Sequence, residues 1–419
     1  MKQAFSIFED HQYGSGIIAI CAKELGISTR HLHRTFIEEL GVSPIQYIMT
    51  RRLLLAKSLL TDTQLKISDI ALASGFGSVS RFNATFKKHY RLTPTTIRKS
   101  TDVNRPPDGI IIYLSYRPPY DHLKMLDFLK ARCVRGVEMV SDDNTYRRAY
   151  ATSVQDKFYK GWIEIKFIPK KMQVACRLSP SLLPIIQHVI RQIKRVFDLD
   201  FDPRCLPPGI KKGVRLPGAF NGFEMSTRAI LGQQITVKAA HTIAGRFVDH
   251  LGSHIETPWP QVNRIFPSPE TIVQLGDQVT QVLGPLGVIK SRAHAIRHLA
   301  EKLVSGDLHF NACGNVEDTR KTLLSIKGIG PWTADYLTMR ALSWPDIFLE
   351  GDVGVRHALM DTLTDENKER IYDKKHLESQ SISKSKMQKN FEKAAVNHAK
   401  KYHPWRSYYT LSLWYSLSE

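Results

Sequence analysis

A glycine-containing turn and a single carboxylate in the C-terminal half of the chain have the residue types for chemistry on a nucleic acid. The turn is Lys327–Gly330, with the sequence KGIG, and Asp352 follows an apolar run about twenty residues later. Glycine permits positive φ and close backbone approach. A helix beginning near Pro331 would direct free backbone N–H groups and its positive dipole end at a phosphate. We therefore predict a phosphate-binding hairpin followed by a catalytic carboxylate.

Asp352 also has a purely structural interpretation. It precedes the helical pattern Val353–Leu359, where an aspartate is an apt N-cap. Capping and catalysis can coexist in one residue, so both interpretations stay open at this point.

The charge of the chain favours a polyanionic partner. Among 419 residues, 59 Lys and Arg outnumber 40 Asp and Glu, which gives a formal net charge of +19. Such a charge suits nucleic acid or an acidic membrane surface, although a basic protein without a specific partner remains an alternative. No apolar run approaches the ~20 residues that a membrane-spanning helix needs. We expect a monomer that binds double-stranded DNA, does not bind membranes, and is cytoplasmic and nucleoid-associated.

Cysteine and histidine spacing gives no sign of a metal centre. The five cysteines are scattered without a C-x-x-C pair, and the sixteen histidines show no zinc-type spacing. Scattered cysteines favour reduced, packed thiols in a reducing compartment.

Residues 17–99 form helical patterns in which the same sequence of turn, N-cap and amphipathic helix occurs twice. A tight turn at Gly26 precedes a Ser28 N-cap and an amphipathic helix, and the same pattern returns about forty-nine residues later at Ser78. A long helix, roughly Ile45 to Leu60, joins the two. This arrangement predicts two helix-turn-helix units that read DNA.

This N-terminal part resembles the AraC/XylS DNA-binding domain. The matching tracts are GIST-R-HLHRTF at 26–36, SPIQYI at 43–48 and ISDIALASGFGSVSRFNATFKKHYRLTP at 67–94. The resemblance implies recognition helices at 28–36 and 78–89. Their candidate contacts are Arg30, His31, Arg34, Ser80, Arg81 and Asn83 for bases, and Lys87 and Lys88 for phosphates. A solvated helix face is the alternative for any one of them.

The rest of the chain predicts a mostly α fold with a smaller α+β domain. Strand patterns occur at 110–116 and 161–167, helical patterns at 123–133 and 182–197, and an almost wholly helical region from Pro217 onward. We predict a linker at 100–112 and domains at 1–104, 105–216 and 217–419. The polar interval 362–388 lacks periodicity, which suggests a mobile insertion.

Residues from about 112 onward resemble the helix-hairpin-helix DNA glycosylases, most closely the AlkA-like 3-methyladenine branch. Five ordered blocks carry the resemblance, which are Tyr116–Asp121 with Met125–Leu129, Arg215–Gly218, Arg228–Gln234, Lys327–Gly330 with Asp352, and His403–Tyr408. The resemblance implies an α+β AlkA N-terminal-like domain before an all-α glycosylase domain. It also implies base-excision repair of alkylated DNA.

Residue roles follow from this resemblance. Asp352 would stabilise the oxocarbenium-like sugar and orient the attacking water. The other implied residues are Trp332, Tyr336, Trp405 and Phe128 for the base pocket, Gln234 for the wedge, and Lys327, Gly328, Ile329 and Gly330 for the phosphate-binding hairpin. A sodium or potassium ion is implied on the carbonyls of Leu324, Ile326 and Ile329, and no cofactor is required. Cation–π attraction to aromatic rings would select a cationic alkylated base.

Two departures from the family pattern bear on the reaction. Trp332 stands where bifunctional relatives carry a Schiff-base lysine, so we expect a DNA-3-methyladenine glycosylase II without lyase activity. Glu350-Gly351 replaces the usual Pro-Asp before the catalytic acid, which makes Glu350 a competing carboxylate.

Two other functions remain open. The chain could be an AraC-type transcription regulator of the alkylation response with a glycosylase-like domain. A self-methylating Ada-like protein is disfavoured, because Cys21 alone precedes residue 133 and a Pro-Cys-His-Arg motif is missing.

Overall fold

The computed structural model describes residues 4–5, 7–8, 16–63, 65–99, 109–310, 315–362 and 384–417. By their internal contacts the residues form two compact units. The first is Met1–Tyr116, Cys133–Lys194 and Gly252–Phe266, and the second is Arg117–Arg132, Arg195–Leu251 and Pro267–Glu419. Each unit draws on separate stretches of the chain, and the predicted boundaries at residues 104 and 216 stay predictions.

The N-terminal part of the first unit consists of helices that form the two predicted helix-turn-helix motifs. They are α1 (Ile17–Glu24), α2 (Thr29–Leu40), α3 (Pro44–Asp62), α4 (Ile67–Ala73), α5 (Val79–Tyr90) and α6 (Pro94–Lys99). Ser28 accepts the His31 N–H before α2 at 3.1 Å, and Ser78 accepts the Arg81 N–H before α5 at 3.2 Å. Gly26 has a φ of 65°, which lets the chain turn tightly between α1 and α2. Helix α3 joins the two motifs, as predicted.

A five-stranded antiparallel sheet forms the other part of the first unit, in the order β1-β5-β4-β3-β2. Its strands are β1 (Ile110–Ser115), β2 (Glu138–Val140), β3 (Thr145–Val154), β4 (Lys157–Ile168) and β5 (Gln173–Leu178). The strands predicted at 110–116 and 161–167 are confirmed as β1 and β4. Cys176 of β5 lies opposite both Ile112 and Ile165, and burial raises the pKa of its thiol. The Gln187 side-chain amide donates to the Ala73 carbonyl at 3.0 Å, which ties this part to α4.

The remaining helices are numbered from α7 onward, and all of them belong to the second unit except α8, which lies in the first unit as far as Lys194. They are α7 (His122–Lys130), α8 (Ile186–Val196), α9 (Gly222–Leu231), α10 (Val237–Leu251), α11 (Pro269–Val273), α12 (Val279–Leu283), α13 (Lys290–Val304), α14 (Val316–Ser325), α15 (Pro331–Ala341), α16 (Val353–Thr362), α17 (Lys384–Ala399) and α18 (Arg406–Ser416). One core cluster joins α16, α17 and α18 through Val355, Leu359, Phe391 and Tyr409. This core fixes the start of α16, where Asp352 lies.

The C-terminal half is not wholly helical. A two-stranded ribbon of β6 (Ser253–His254) and β7 (Arg264–Ile265) interrupts the helices and belongs to the first unit. The mostly α fold class with a smaller α+β part is nevertheless confirmed.

Several predictions concern residues that the structure does not describe. The linker prediction falls largely on 100–108, and the insertion prediction on 363–383, both outside the described residues. Cys21, Cys133, Cys176 and Cys205 form no disulfide bond with one another. None of the described helices combines the length and the hydropathy that crossing a bilayer requires.

Candidate active site

Asp352 caps α16 through one carboxylate oxygen and leaves the other open. Its Oδ1 accepts the Val355 N–H at 2.9 Å and the Trp414 indole N–H, also at 2.9 Å. Oδ2 accepts no hydrogen bond from the described part of the chain, and no described cationic side chain lies within ion-pair distance of the carboxylate. The structural interpretation of Asp352 as a cap is therefore correct. The cap fixes the orientation of the carboxylate without using both oxygens.

Four aromatic side chains converge beside Asp352, and we call them the aromatic cluster: Phe128, Trp332, Tyr336 and Trp414. Trp332 and Tyr336 stack at 5.1 Å between centroids, as their four-residue spacing on α15 predicts. Trp414 lies 6.5 Å from Tyr336 and 6.2 Å from Phe128, nearly parallel to the latter. Trp332 is 37% exposed, whereas Tyr336 and Phe128 are buried. The cluster therefore runs from the surface into the core of the second unit.

Trp405 is not part of this cluster. Its ring contacts are edge-on to Phe201 at 5.4 Å and to Tyr408 at 5.8 Å. Trp414 occupies the place beside Phe128 and Tyr336 that the resemblance suggested for Trp405. Sequence reasoning missed Trp414, although it lies in the aromatic-rich last helix. The structure offers Trp414 as the fourth ring of the pocket.

The His403–Tyr408 block instead braces the segment that leads to Asp352. The Arg406 guanidinium donates to both carboxylate oxygens of Asp346, at 2.6 and 2.7 Å, and His403 bonds the same carboxylate at 2.7 Å. Although burial alone would raise it, these partners lower the pKa of Asp346. Ser407 Oγ donates to the Trp344 carbonyl at 2.7 Å and accepts the Ile347 N–H at 2.9 Å. The block therefore has a positioning role in this structure.

Glu350, the competing carboxylate, lies in a different electrostatic environment from Asp352. The pKa of Arg320 is raised mainly by its hydrogen bonds to Asp335 and further by the charge of Glu350. The pKa of Arg406 is raised in the same way, mainly by Asp346 and further by Glu350. Glu350 therefore lies near two guanidinium groups, those of Arg320 and Arg406.

The predicted hairpin is a tight turn between α14 and α15. The Ile329 N–H donates to the Ile326 carbonyl at 3.0 Å, and both of these side chains are buried. Gly328 has a φ of 101°, and a Cβ there would lie 3.1 Å from Ala295 Cβ. The turn therefore requires glycine at this position. Lys327 and Gly330 are exposed, so the turn faces solvent.

An ion pair holds the two helices of the hairpin together. Arg320 of α14 donates to both carboxylate oxygens of Asp335 in α15, at 2.5 and 3.1 Å. Two parallel hydrogen bonds give the pair a fixed geometry as well as charge. The start of α15, which carries the exposed N–H groups, is therefore rigidly placed.

Gln234 is presented on a loop that the neighbouring Gln233 anchors. The Gln233 amide donates to the Gly328 carbonyl at 2.9 Å and to Thr333 Oγ1 at 3.1 Å, and the Arg292 guanidinium binds the Gln233 carbonyl. Gln234 itself is exposed and has a φ of 54°, a backbone conformation that residues other than glycine rarely adopt. Sequence reasoning missed the anchoring role of Gln233. Gln234 is therefore an exposed residue in a strained backbone conformation next to an anchored neighbour.

A cavity of about 470 Å³ lies next to the hairpin and is separate from the aromatic cluster. It is lined by His298, Glu301, Lys302, Ser305, Asp307, Ser325 and Ile326. The lining contains none of the four aromatic side chains, so this cavity is not the candidate base pocket.

Three domain families match the chain in order. Residues 21–100 match the helix-turn-helix domain, 111–221 the AlkA N-terminal domain, and 227–394 the HhH-GPD superfamily base excision DNA repair protein. A relative from Escherichia coli K12 named DNA-3-methyladenine glycosylase 2 is 30% identical over 310 residues, which cover 72% of this chain and 96% of that protein. The chain belongs to the DNA-3-methyladenine glycosylase 2 family. The resemblance stated from the sequence blocks is thereby confirmed.

Another relative extends this family likeness over the N-terminal helices. A Mycobacterium tuberculosis H37Rv protein named probable bifunctional transcriptional activator/DNA repair enzyme AlkA is 28% identical over 413 residues. The match covers 94% of this chain and 76% of the relative. Among solved structures, a 3-methyladenine DNA-glycosylase from Archaeoglobus fulgidus has the same fold. It aligns with a TM-score of 0.53 at 18% identity over 72% of this chain and 97% of that one.

The helix-turn-helix part of this family member presents its predicted DNA contacts to solvent. The exposed residues are Arg30, His31 and Arg34 on α2 and Ser80, Arg81, Asn83, Lys87 and Lys88 on α5. Leu32, Phe36, Phe82 and Phe86 on the opposite faces are buried, because the apolar residues of each helix recur every three or four positions. Arg34 is held by His31 Nδ1 at 3.1 Å and by Glu38 at 3.7 Å. Both helices therefore present their polar faces to solvent.

Proposed function

We propose that the protein is a monofunctional DNA glycosylase that removes alkylated bases such as 3-methyladenine and 7-methylguanine from duplex DNA. The observation that carries this proposal is the Asp352 carboxylate, fixed through Oδ1 and open at Oδ2 beside the aromatic cluster. Membership of the DNA-3-methyladenine glycosylase 2 family supports the reaction class.

The carboxylate has two tasks in this reaction. As the bond between C1′ and the base breaks, its electron pair goes to the base and positive charge develops on the sugar. The negative charge of Asp352 stabilises that sugar, and Oδ2 accepts a proton from the water that attacks C1′. The products are a free base and an abasic site.

Hydrolysis without strand cleavage follows from the residue in the first turn of α15. An imine with the sugar requires an amine, and Trp332 stands two positions after Gly330. Lys327 is in the hairpin, where its charge suits a phosphate. We therefore expect no β-elimination.

Access to the base requires that it leave the helical stack. The exposed Gln234 would fill the vacated space as a wedge, and the backbone N–H groups of Gly328 and Gly330 would hold a phosphate of the distorted strand. Base extrusion would thus depend on the loop with Gln234 and strand anchoring on the hairpin, and the Gln233 side chain links these two segments.

A monovalent cation fits the hairpin as a structural component. The carbonyls of Leu324 and Ile329 accept no hydrogen bond from the described backbone, and the Ile326 carbonyl accepts only that of Ile329. The carbonyls of Leu324 and Ile326 lie at the C-terminal end of α14, where the helix dipole favours a cation, and that of Ile329 lies in the turn that follows. We propose that a sodium or potassium ion binds these carbonyls and balances the charge of the DNA phosphate at the hairpin. No other cofactor is needed.

The helix-turn-helix part supports a second DNA contact, and a regulatory role is the alternative function of the chain. Its exposed basic helices, and the activator named among the relatives, favour binding to an operator or to DNA in general. We propose that the protein acts as a monomer on double-stranded DNA in the cytoplasm, in association with the nucleoid.

The deciding experiment is release of free bases from methylated duplex DNA by wild type, Asp352→Asn and Glu350→Gln. Wild type and Glu350→Gln should release 3-methyladenine, and Asp352→Asn should lose at least ~100-fold in rate while still binding DNA. Excision by Asp352→Asn together with its loss in Glu350→Gln would transfer the catalytic role to Glu350. Absence of release by wild type would favour the regulator.

A further inference from the structure

Arg292 reaches from helix α13 to the backbone just before Gln234. One terminal nitrogen of its guanidinium donates to the Leu231 carbonyl at 3.3 Å, and the other donates to the Gln233 carbonyl. The Gln233 carbonyl belongs to the same planar peptide group as the Gln234 N–H. Arg292 therefore fixes the peptide plane from which Gln234 takes its φ of 54°.

The charge of Arg292 stabilises a neighbouring helix and not its own. Arg292 lies in the first turn of α13, where the helix dipole is positive and disfavours a guanidinium. Leu231 is the last residue of α9, where the dipole is negative and the final carbonyls lack partners within the helix. The end of α9 and the loop that follows it, residues 232–236, thus explain the position of this guanidinium. We call this segment the wedge loop.

The wedge loop has further attachments on either side of Gln234. The Gln233 side-chain amide donates to the Gly328 carbonyl at 2.9 Å, and Thr236 Oγ1 accepts the Ala239 N–H at 3.2 Å at the start of α10. The Gln234 side chain itself makes no hydrogen bond within the part of the chain that the structure describes. The loop is therefore fixed around a side chain that stays available to a duplex.

The same side of α13 also supports the hairpin. A Cβ on Gly328 would lie 3.1 Å from the Cβ of Ala295, which follows Arg292 by three residues. Residues three apart in a helix lie on one side of it. The wedge loop and the hairpin therefore rest on one helix, and the Arg292 guanidinium is the contact that holds the loop.

We propose that Arg292 is a positioning residue for base extrusion, because it holds the wedge loop in the conformation that presents Gln234 before DNA binds. The inference rests on the proposed glycosylase function. A loop that is ordered in advance loses less conformational entropy on the duplex, so more of the binding energy goes into displacing the base. Without Arg292 the peptide group before Gln234 is free to rotate, and the loop must be ordered on DNA.

The test measures base extrusion and base excision separately, on a duplex with one 7-methylguanine opposite cytosine. Fluorescence of a 2-aminopurine beside the lesion reports unstacking on binding, with every variant in the Asp352→Asn background so that the base stays attached. Excision is followed in single turnovers with full-length protein that retains Asp352.

The variants remove the two hydrogen bonds in different ways. Arg292→Met loses every donor, and Arg292→Lys keeps the charge but cannot bond two carbonyls as a planar fork. Arg297→Met is the matched control, because Arg297 also lies on α13 but bonds Asp277 and Glu301 instead. Affinity for undamaged duplex serves as the check that each variant is folded.

We expect Arg292→Met to lower both the extrusion equilibrium and the excision rate about tenfold, with Arg292→Lys between it and wild type. Arg297→Met should change either quantity less than about twofold. In a Gln234→Ala background Arg292→Met should cost less than about twofold in excision, because the side chain that it positions is gone.

Two results would overturn the inference and leave the glycosylase function intact. One is normal extrusion and excision by Arg292→Met, and the other is an equal loss from Arg292→Met with and without Gln234. Extrusion that depends on Arg292, without excision by wild type, would instead contradict the glycosylase function and leave the role of Arg292 in place.

Discussion

The Trp414 indole N–H donates to Asp352 Oδ1 over 2.9 Å, although 62 residues separate the two in the chain. The same indole faces Phe128 and Tyr336. One side chain therefore both orients the candidate catalytic carboxylate and forms a wall of the candidate base pocket. This double role connects the position of the base to that of the carboxylate.

Trp414→Phe should lower the single-turnover rate of excision by about tenfold or more, because a hydrogen bond to a charged group is worth roughly 1.5–3 kcal/mol. The phenyl ring keeps most of the wall, so affinity for damaged duplex should change little. Quench-flow kinetics and DNA binding separate the two effects. Trp405→Phe is the matched control and should alter the rate less than about twofold. A larger loss in Trp405→Phe than in Trp414→Phe would restore Trp405 to the base pocket.

Gly328→Ala should destabilise the hairpin by about 1–3 kcal/mol, because an L-residue is strained at positive φ and the new Cβ would lie 3.1 Å from Ala295 Cβ. Weaker binding to undamaged duplex should accompany the loss, since the phosphate-binding N–H groups follow this residue. Gly330→Ala is the control, because its Cβ meets nothing within 4 Å. Denaturation and DNA titration of both variants test the point, and equal losses would contradict it.

Asp198 should make stability depend on pH. Burial raises the pKa of this carboxyl to about 7, despite hydrogen bonds from the Leu216 N–H and the Tyr408 hydroxyl. Between about pH 4 and pH 7 the unfolded chain ionises Asp198 and the folded protein keeps it protonated. Stability therefore falls as pH rises through this range, and the loss is complete above it.

Asp198→Asn removes this titration and suits the φ of 50° at the position, because Asn tolerates left-handed backbone. The difference in Tm between variant and wild type should shift in favour of the variant from pH 5 to pH 8. Asp156→Asn, in the exposed turn between β3 and β4, should follow the wild type at both values. A constant difference for Asp198→Asn would refute the buried protonated carboxyl.

Lys87→Ala on α5 should reduce the dependence of DNA affinity on salt. Each lost phosphate contact lowers the slope of log affinity against log salt by about 0.9 for B-DNA. Lys157→Ala, an exposed lysine of the β3–β4 hairpin, should leave the slope unchanged. Titrations at several salt concentrations give both slopes, and identical slopes would mean that α5 does not bind the backbone.

Local signals made the helix-turn-helix motifs and the hairpin predictable. Ser28 and Ser78 cap their helices within three residues, and Gly328 determines the turn by its own conformation. Such features depend on near neighbours along the chain. The strands β2, β3 and β5 were not predicted. For β3 the reason is that it is buried on both faces over much of its length and lacks a simple alternation.

The choice between Trp405 and Trp414 could not be made from motif position alone. Trp405 is the N-cap of α18, and Trp414 lies nine residues further along the chain, so the two indoles are more than two helical turns apart. Which of the two faces Asp352 depends on how α18 packs against α16. That packing involves Val355, Leu359, Tyr409 and Leu413, which are distant in the chain. Helical geometry would have separated the two candidates, but only tertiary structure identifies the one that meets Asp352.

The interleaved composition of the two units has a consequence for synthesis on the ribosome. The chain passes between the units after Tyr116, Arg132, Lys194, Leu251 and Phe266. The first unit is not complete until its β6–β7 ribbon has left the ribosome, and by then residues 195–251 of the second unit have already been synthesised. A nascent chain must therefore hold incomplete surfaces of both units at once, which is where a chaperone would be needed most.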